Sequence, residues 1–207
     1  EEELIARVTY AIDDEKIINS FASMNMSLQL LTDKDDYVIR KNKLEDQGQM
    51  AKIKIDGWRT AYDKIVSSKY LKKLDYDKQT QRYISSFHEY KDLVLVAVKN
   101  DEVLGYSCFD KEGNEKYDSE LVSLYIKQEF KGKGIGTSLF RETVKELLSQ
   151  GKKNMIIWCF TENTNAIKFY EDLGGRLVET KMVKIGDEEY EECGFYFDLV
   201  NVQKSDF

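Results

Sequence analysis

The chain has 207 residues and contains no proline, one histidine and three cysteines. Its sharp turns therefore depend on glycine, asparagine and aspartate. The lone His88 argues against a His-based triad or a His-rich metal site, so we expect no metal. Cys108, Cys159 and Cys193 lack metal-binding spacing, and an odd count of this kind is typical of a reducing, cytoplasmic setting. No apolar run approaches the roughly 18 residues that a membrane span needs.

The net charge of −7 comes from 38 acidic and 31 basic side chains. Residues 1–35 hold eight acids against three bases, so they carry −5 of this charge and leave −2 to the rest. No basic field favours the backbone of a nucleic acid. We therefore expect no nucleic-acid partner and no membrane partner, and the charge says little about the substrate.

Hydrophobic periodicity divides the chain into a helical N-terminal segment, residues 1–35, and one larger domain, residues 36–207. Predicted strands cover residues 37–40, 93–98, 103–109, 120–126, 155–159, 176–185 and 193–199. Predicted helices cover about residues 47–65, 77–87, 137–150 and 163–173. Because strands and helices alternate after a β-hairpin, we predict a mixed α/β sheet.

The most informative segment lies between a strand and a helix and reads Lys131-Gly132-Lys133-Gly134-Ile135-Gly136-Thr137. Alternating glycines bring bare backbone N–H groups close to a ligand, and the following helix directs its positive end to the same place. The segment predicts a phosphate or pyrophosphate site, with a plain tight turn as the alternative. The Walker spacing is absent, and G-x-G-x-G is not the dinucleotide fingerprint.

Motifs on both sides of this turn follow in a fixed order. They are Leu124-Tyr125-Ile126 before it, Asn163-Thr164-Asn165-Ala166-Ile167-Lys168-Phe169-Tyr170 in the later helix, Tyr37-Val38-Ile39-Arg40 in the first strand and Trp58-Arg59-Thr60-Ala61-Tyr62 in an early helix. With these motifs in this order, the chain resembles the GCN5-related N-acetyltransferase superfamily, in particular its bacterial members, over about residues 36–200. The resemblance implies about seven strands, mostly antiparallel, with a splayed central parallel pair and four flanking helices.

The resemblance also implies that acetyl-coenzyme A is bound as the co-substrate. Its pantetheine arm would pair with the strand at Leu124, Tyr125 and Ile126, and its pyrophosphate would meet the turn. The implied turn residues are Lys131, Gly132, Lys133, Gly134, Ile135, Gly136 and Thr137, and the implied helix residues are Asn163, Ala166 and Phe169. Lys131 departs from the family's Gln or Arg, and it keeps a charge without the bidentate fork of arginine.

Two residues match catalytic positions of the family. Tyr170 matches the tyrosine that protonates the leaving thiolate, and an aromatic packing role beside Phe169 is the alternative. Glu120 lies 11 positions before Lys131, which is the offset of a general-base glutamate in one branch of the family. A solvated strand-end glutamate, with a water relay as the base, remains open for that position.

The expected reaction is transfer of an acetyl group to a primary amine by direct attack in a ternary complex. The family's substrate side corresponds here to Trp58 and Tyr62, and the acceptor is a small-molecule or peptide amine. The alternative is a non-catalytic acyl-coenzyme-A sensor or interaction module that keeps the turn and leaves Tyr170 or Glu120 idle. A homodimer is left open.

Overall fold

The computed structural model describes residues 37–204. The strands are β1 (Val38–Lys41), β2 (Val94–Lys99), β3 (Glu102–Asp110), β4 (Glu120–Ile126), β5 (Asn154–Phe160), β6 (Arg176–Ile185) and β7 (Glu188–Asp198). The helices are α1 (Gln47–Ala61), α2 (Ser68–Lys73), α3 (Tyr76–Tyr90), α4 (Ile135–Ser149), α5 (Thr164–Asp172) and α6 (Leu199–Lys204). The predicted N-terminal helices in residues 1–35 lie outside the described residues.

One seven-stranded sheet runs in the order β1-β2-β3-β4-β5-β7-β6. Strands β2 to β4 are antiparallel neighbours, and β7 is antiparallel to both β5 and β6. Strands β4 and β5 run parallel, and their register contains two residue pairs, Glu120 with Ile156 and Leu121 with Ile157. The predicted mixed sheet with a central, splayed parallel pair is therefore confirmed.

A β-bulge accompanies the separation of β4 from β5. On the other side of β4, the register with β3 shifts so that Val122 has no partner between Leu121 and Ser123. A bulge increases the local twist of its strand and bends it. The bulge follows directly on the last residue that pairs with β5, so β4 turns away from β5 at this point and leaves one edge open.

Helices cover both faces of the sheet. On the face that we call the α4 face, Ser107 on β3 is hydrogen-bonded to Thr143 on α4 at 2.9 Å. On the opposite face, the α1 face, the hydroxyls of Tyr83 on α3 and Tyr106 on β3 are 2.9 Å apart. The continuous apolar run of β2 is buried at five of its six residues, because helices pack on both of its sides.

Several predicted boundaries were wrong. Strand β7 begins at Glu188 and not near Cys193, because Gly186 and Asp187 form a two-residue turn and the charged residues after it lie on an exposed hairpin. Helix α1 ends at Ala61 and not near Ile65. The short helix α2 was missed, since its six residues are mostly polar and carry no clear apolar period. The turn at Asn100 and Asp101, both with positive φ, confirms the predicted β2–β3 hairpin.

Candidate active site

The glycine turn adopts a backbone conformation that requires glycine at two positions. Gly132 and Gly134 have φ of +74° and +82°, in the left-handed region that side chains disfavour. A Cβ atom added to either would meet nothing within 4 Å, so the backbone here faces open space. Lys131 and Lys133 flank the turn with exposed side chains, and the Lys133 ammonium lies 4.8 Å from the centre of the Phe130 ring.

Six consecutive amides at this turn lack a partner in residues 37–204. The N–H groups of residues 132–137 donate no hydrogen bond within the described part of the chain, and the first amide to do so is that of Ser138, which donates to the Gly134 carbonyl at 3.0 Å. They lie at the N-terminus of α4, whose dipole adds positive potential. Unsatisfied amides of this kind form a binding site for an anionic group. Anion binding at this turn stays a prediction, and the exposed amides are the groups that would carry it.

The open edge of β4 lies next to this turn. The Lys127 amide donates to the Leu104 carbonyl on β3 at 2.8 Å. Because successive amides of a strand point to opposite edges, those of Ile126 and Leu124 point away from β3. That direction is the side on which β4 has separated from β5. The Tyr125 side chain projects to the α1 face, where its ring packs 5.5 Å from that of Tyr106.

Helix α5 borders the same region. Asn163 caps the helix by accepting a hydrogen bond from the Ala166 amide at 3.2 Å, which leaves its Nδ2 donors for another partner. The Phe169 ring lies against the glycine turn, because a Cβ added to Gly136 would lie 3.3 Å from Phe169 Cζ and 3.7 Å from Ile126 Cγ1. Gly136 therefore allows α4 to approach both β4 and α5 closely.

Tyr170 is only 8% exposed and lies on the next position of α5. Its ring packs against those of Phe169 and Phe195, with centres 5.5 and 5.9 Å away. Its hydroxyl makes no hydrogen bond to any residue that the structure describes. Burial raises the pKa of Tyr170 well above its ordinary value, and the neighbouring Cys159 and Tyr62 add to the shift. The phenol therefore stays protonated at neutral pH.

Glu120 stands where β4 and β5 are still paired. Burial raises the pKa of its carboxyl above the usual 4.5, the ammonium of Lys181 opposes that shift, and Asp110 and Glu192 reinforce it. Glu120 is partly buried, whereas a solvated residue at a strand end would be exposed. A carboxylate with a raised pKa is a better proton acceptor near neutral pH than an ordinary glutamate.

Trp58 and Tyr62 belong to an aromatic group on the α1 face. The Trp58 indole N–H donates to the Tyr125 hydroxyl at 2.8 Å, which ties α1 to β4. The Tyr62 ring meets Trp58 and Phe160 edge-on at 5.1 and 4.9 Å between ring centres. Burial raises the pKa of Tyr62 to about 12, so its hydroxyl is neutral. The rings of Trp58 and Tyr62 form a largely apolar surface, which also carries the hydroxyls of Tyr62 and Tyr125.

Sequence reasoning missed a second group on the α1 face, formed by Trp158, Lys181 and Glu192. Lys181 on β6 and Glu192 on β7 face each other in the strand register, and the Lys181 ammonium lies 3.6 Å from the centre of the Trp158 ring. Long-range pairing of three strands brings them together. The local sign of this group in the sequence is Gly194, since a glycine inside a strand often marks a close approach by another group. Gly194 lies opposite Trp158 in the β5–β7 register.

A glycine turn at a helix N-terminus, beside a parallel strand pair that opens at a bulge, indicates the class of the protein. This is the arrangement of an acetyltransferase that uses a coenzyme A thioester, in which the open strand edge and the amides together can hold a long phosphorylated arm. Across residues 37–204, no cluster of three or more His, Cys, Asp or Glu side chains could hold a metal ion. No helix in the same range is long and apolar enough to cross a membrane.

Comparison with known proteins agrees with this class. Residues 58–175 match the acetyltransferase (GNAT) family. An uncharacterised N-acetyltransferase of Bacillus subtilis, YuaI, is 30% identical over 161 residues, which cover 75% of this chain and 90% of that protein. The chain therefore belongs to the acetyltransferase (GNAT) family, and it is an acetyl-coenzyme-A-dependent N-acetyltransferase.

Two solved structures share the fold. The crystal structure of an N-acetyltransferase from Staphylococcus aureus Mu50 has a TM-score of 0.62 at 20% identity and covers 79% of this chain and 98% of its own. The Salmonella typhimurium acetyltransferase YncA, solved with its cofactor acetyl-CoA, has a TM-score of 0.58 at 22% identity and covers 79% of this chain and 94% of its own.

Proposed function

We propose that this protein transfers the acetyl group of acetyl-coenzyme A to a primary amine by direct attack within a ternary complex. The observation that carries the assignment is the run of unpaired amides at residues 132–137 beside the open edge of β4. These two features can bind the two ends of one donor molecule at once. Neither is explained by the internal needs of the fold.

The donor is held by main-chain groups. Its pyrophosphate accepts hydrogen bonds from the amides of residues 132–137, with Lys131 and Lys133 adding positive charge. Its pantetheine arm pairs with the outward-facing amides of Leu124 and Ile126 and with the free Nδ2 of Asn163. Phe169 and Ala166 line the side of this arm that faces α5. Main-chain donors carry most of the binding, so lysine in place of arginine or glutamine at position 131 costs little.

The chemistry needs a base for the amine and an acid for the thiolate. The amine nitrogen attacks the thioester carbonyl carbon, the carbon–sulfur bond breaks, and the amine loses one proton. Glu120 accepts that proton, since its raised pKa suits a base near neutral pH. Tyr170 supplies the proton that the departing thiolate takes, because burial keeps its phenol protonated.

The acceptor enters from the α1 face. Trp58 and Tyr62 present an apolar wall there, and the partly buried Glu120 and Glu192 supply negative charge on the same face. An aromatic wall and partly buried carboxylates favour an acceptor that carries an ammonium group on an apolar stem. The acceptor class is accordingly a small-molecule or peptide amine.

The test measures coenzyme A release from acetyl-coenzyme A with a panel of primary amines, beside a calorimetric titration with acetyl-coenzyme A alone. Release that depends on one or more amines supports the proposal. Tight binding without release on any amine, together with no effect of Tyr170→Phe, would identify a non-catalytic sensor of acyl-coenzyme A. Absence of binding would overturn the donor site itself.

A further inference from the structure

The ammonium of Lys181 is held on the α1 face by an aromatic ring and a carboxylate. Its Nζ lies 3.6 Å from the centre of the Trp158 ring and 3.8 Å from Glu192 Oε2. A cation at this distance from an indole face is attracted by the ring quadrupole. The Lys181 side chain is nevertheless 42% exposed, so solvent and a small solute can reach it.

A missing side chain on β7 shapes this arrangement. Gly194 lies opposite Trp158 in the β5–β7 register. A Cβ at Gly194 would lie 2.9 Å from Trp158 Cζ3 and 3.0 Å from Cη2, which is closer than real contacts allow. The indole ring therefore lies across β7 toward β6 only because residue 194 is glycine. Its outer face is the surface that Lys181 covers.

The same ammonium balances the acids of this face. Lys181 lowers the pKa of Glu120 on β4 by electrostatic attraction. The negative charges of Asp110 on β3 and Glu192 on β7 raise it. Burial raises the pKa of Glu192, and the attraction of Lys181 opposes that shift. Lys181 is thus the cation that acts on both Glu120 and Glu192.

Resting on the proposed amine acetylation, we infer that Lys181 is a specificity-determining residue. Its ammonium occupies the position between Trp158 and Glu192 that the second ammonium of a diamine would need. A second cation brought to this position meets an existing one, and like charges at close range weaken binding. The enzyme therefore favours acceptors with one ammonium group over acceptors with two.

The experiment compares butylamine with diaminobutane, which differ only in the second ammonium. The readout is the ratio of kcat/KM for the diamine to that for the monoamine. Lys181→Met keeps the apolar stem and removes the charge, and Lys181→Arg keeps the charge. The matched control is Lys184→Met, because Lys184 is on the same strand opposite another glutamate, Glu189, but projects to the other face. Affinity for acetyl-coenzyme A verifies that each variant is folded.

We expect Lys181→Met to raise the ratio by about fivefold, as removing one partly exposed charge would, while Lys181→Arg and Lys184→Met leave it unchanged. We also expect the acidic limb of the kcat/KM profile of Lys181→Met to move to higher pH, because Lys181 lowers the pKa of Glu120. An unchanged ratio in Lys181→Met, or an equal rise in Lys184→Met, would overturn the inference.

Different measurements test the proposed function and this inference. If the unaltered protein releases no coenzyme A with any primary amine, amine acetylation is wrong. Diaminobutane binding, followed by calorimetry in the presence of coenzyme A, then decides the inference without turnover. Tighter binding by Lys181→Met than by Lys184→Met supports a cation position between Trp158 and Glu192, and equal binding overturns it.

Discussion

Trp58 on α1 donates its indole N–H to the hydroxyl of Tyr125 on β4 across 2.8 Å. The bond joins α1, on the proposed acceptor side, to β4, whose far edge is the proposed site of the donor. Tyr125 has lost its β5 neighbour, because the parallel pairing ends at Leu121. This contact therefore replaces part of the support that a neighbouring strand would have given to β4.

Trp58→Phe should lower the free energy of unfolding by about 1 kcal/mol, because the partly buried Tyr125 hydroxyl loses its partner. Urea denaturation measures the loss. The matched variant is Tyr125→Phe, and the double variant completes a thermodynamic cycle. We expect the double variant to lose less than the sum of the two single losses, by about 1 kcal/mol. Strict additivity would show that the bond contributes nothing to stability.

Gly134→Ala should weaken acetyl-coenzyme A binding by roughly tenfold, because the new methyl group projects into the open space before the amides and strains a left-handed residue. The control is Gly151→Ala, whose φ is +78° and whose added Cβ also meets nothing within 4 Å. Both variants should lose about 1 kcal/mol of stability. Equal donor affinity in the two variants, by calorimetry, would remove the turn from the donor site.

Tyr170→Phe should lower kcat by roughly a hundredfold, the usual loss on removing a positioned general acid. Affinity for acetyl-coenzyme A should stay unchanged, because the ring and its packing remain. Tyr90→Phe, at a surface tyrosine of α3, controls for the loss of one phenol. Steady-state kinetics and calorimetry give both numbers. Equal values of kcat in the Tyr170 and Tyr90 variants would assign Tyr170 to packing alone.

The rate should depend on the ionisation of Glu120. A base must be deprotonated to act, so kcat/KM should rise with pH through the pKa of Glu120, which burial places above the ordinary 4.5. Glu120→Gln should lower kcat/KM and abolish this acidic limb. Glu102→Gln, at an exposed strand end, is the control. A limb that persists in Glu120→Gln would belong to another group, such as Glu192, or to the acceptor amine.

The same residue should cost stability at neutral pH. Its pKa is higher in the folded chain than in the unfolded chain, so its contribution to stability is present below the unfolded pKa and is lost as pH rises through the folded pKa. Glu120→Gln should therefore be more stable than the unaltered protein at pH 7. The difference should shrink toward acid pH, which urea titrations at several pH values can follow. A constant difference would contradict a raised pKa.

The sequence predicted the local features of the site well. The glycine turn between strand and helix was readable because Gly132 and Gly134 need a backbone conformation that few other residues adopt. The buried run of β2 and the turn at Asn100 and Asp101 were readable for similar local reasons. The family motifs predicted that β4, α4 and α5 surround one donor site, and the structure brings these three elements together at Gly136.

Features that depend on long-range register were not predictable. The bulge at Val122 has no local signal, because valine is an ordinary strand residue and the shift exists only against β3. Lys181 and Trp158 meet across three strands, and the first part of β7 reads as a charged loop because it is an exposed hairpin.

A crystal structure with acetyl-coenzyme A is the most direct test of the proposed donor site. We expect the pyrophosphate against the amides of residues 132–137, the pantetheine arm along β4 at Leu124 and Ile126, and the thioester within reach of the Tyr170 hydroxyl. A donor bound elsewhere, or a pyrophosphate that makes no contact with these amides, would contradict this donor site.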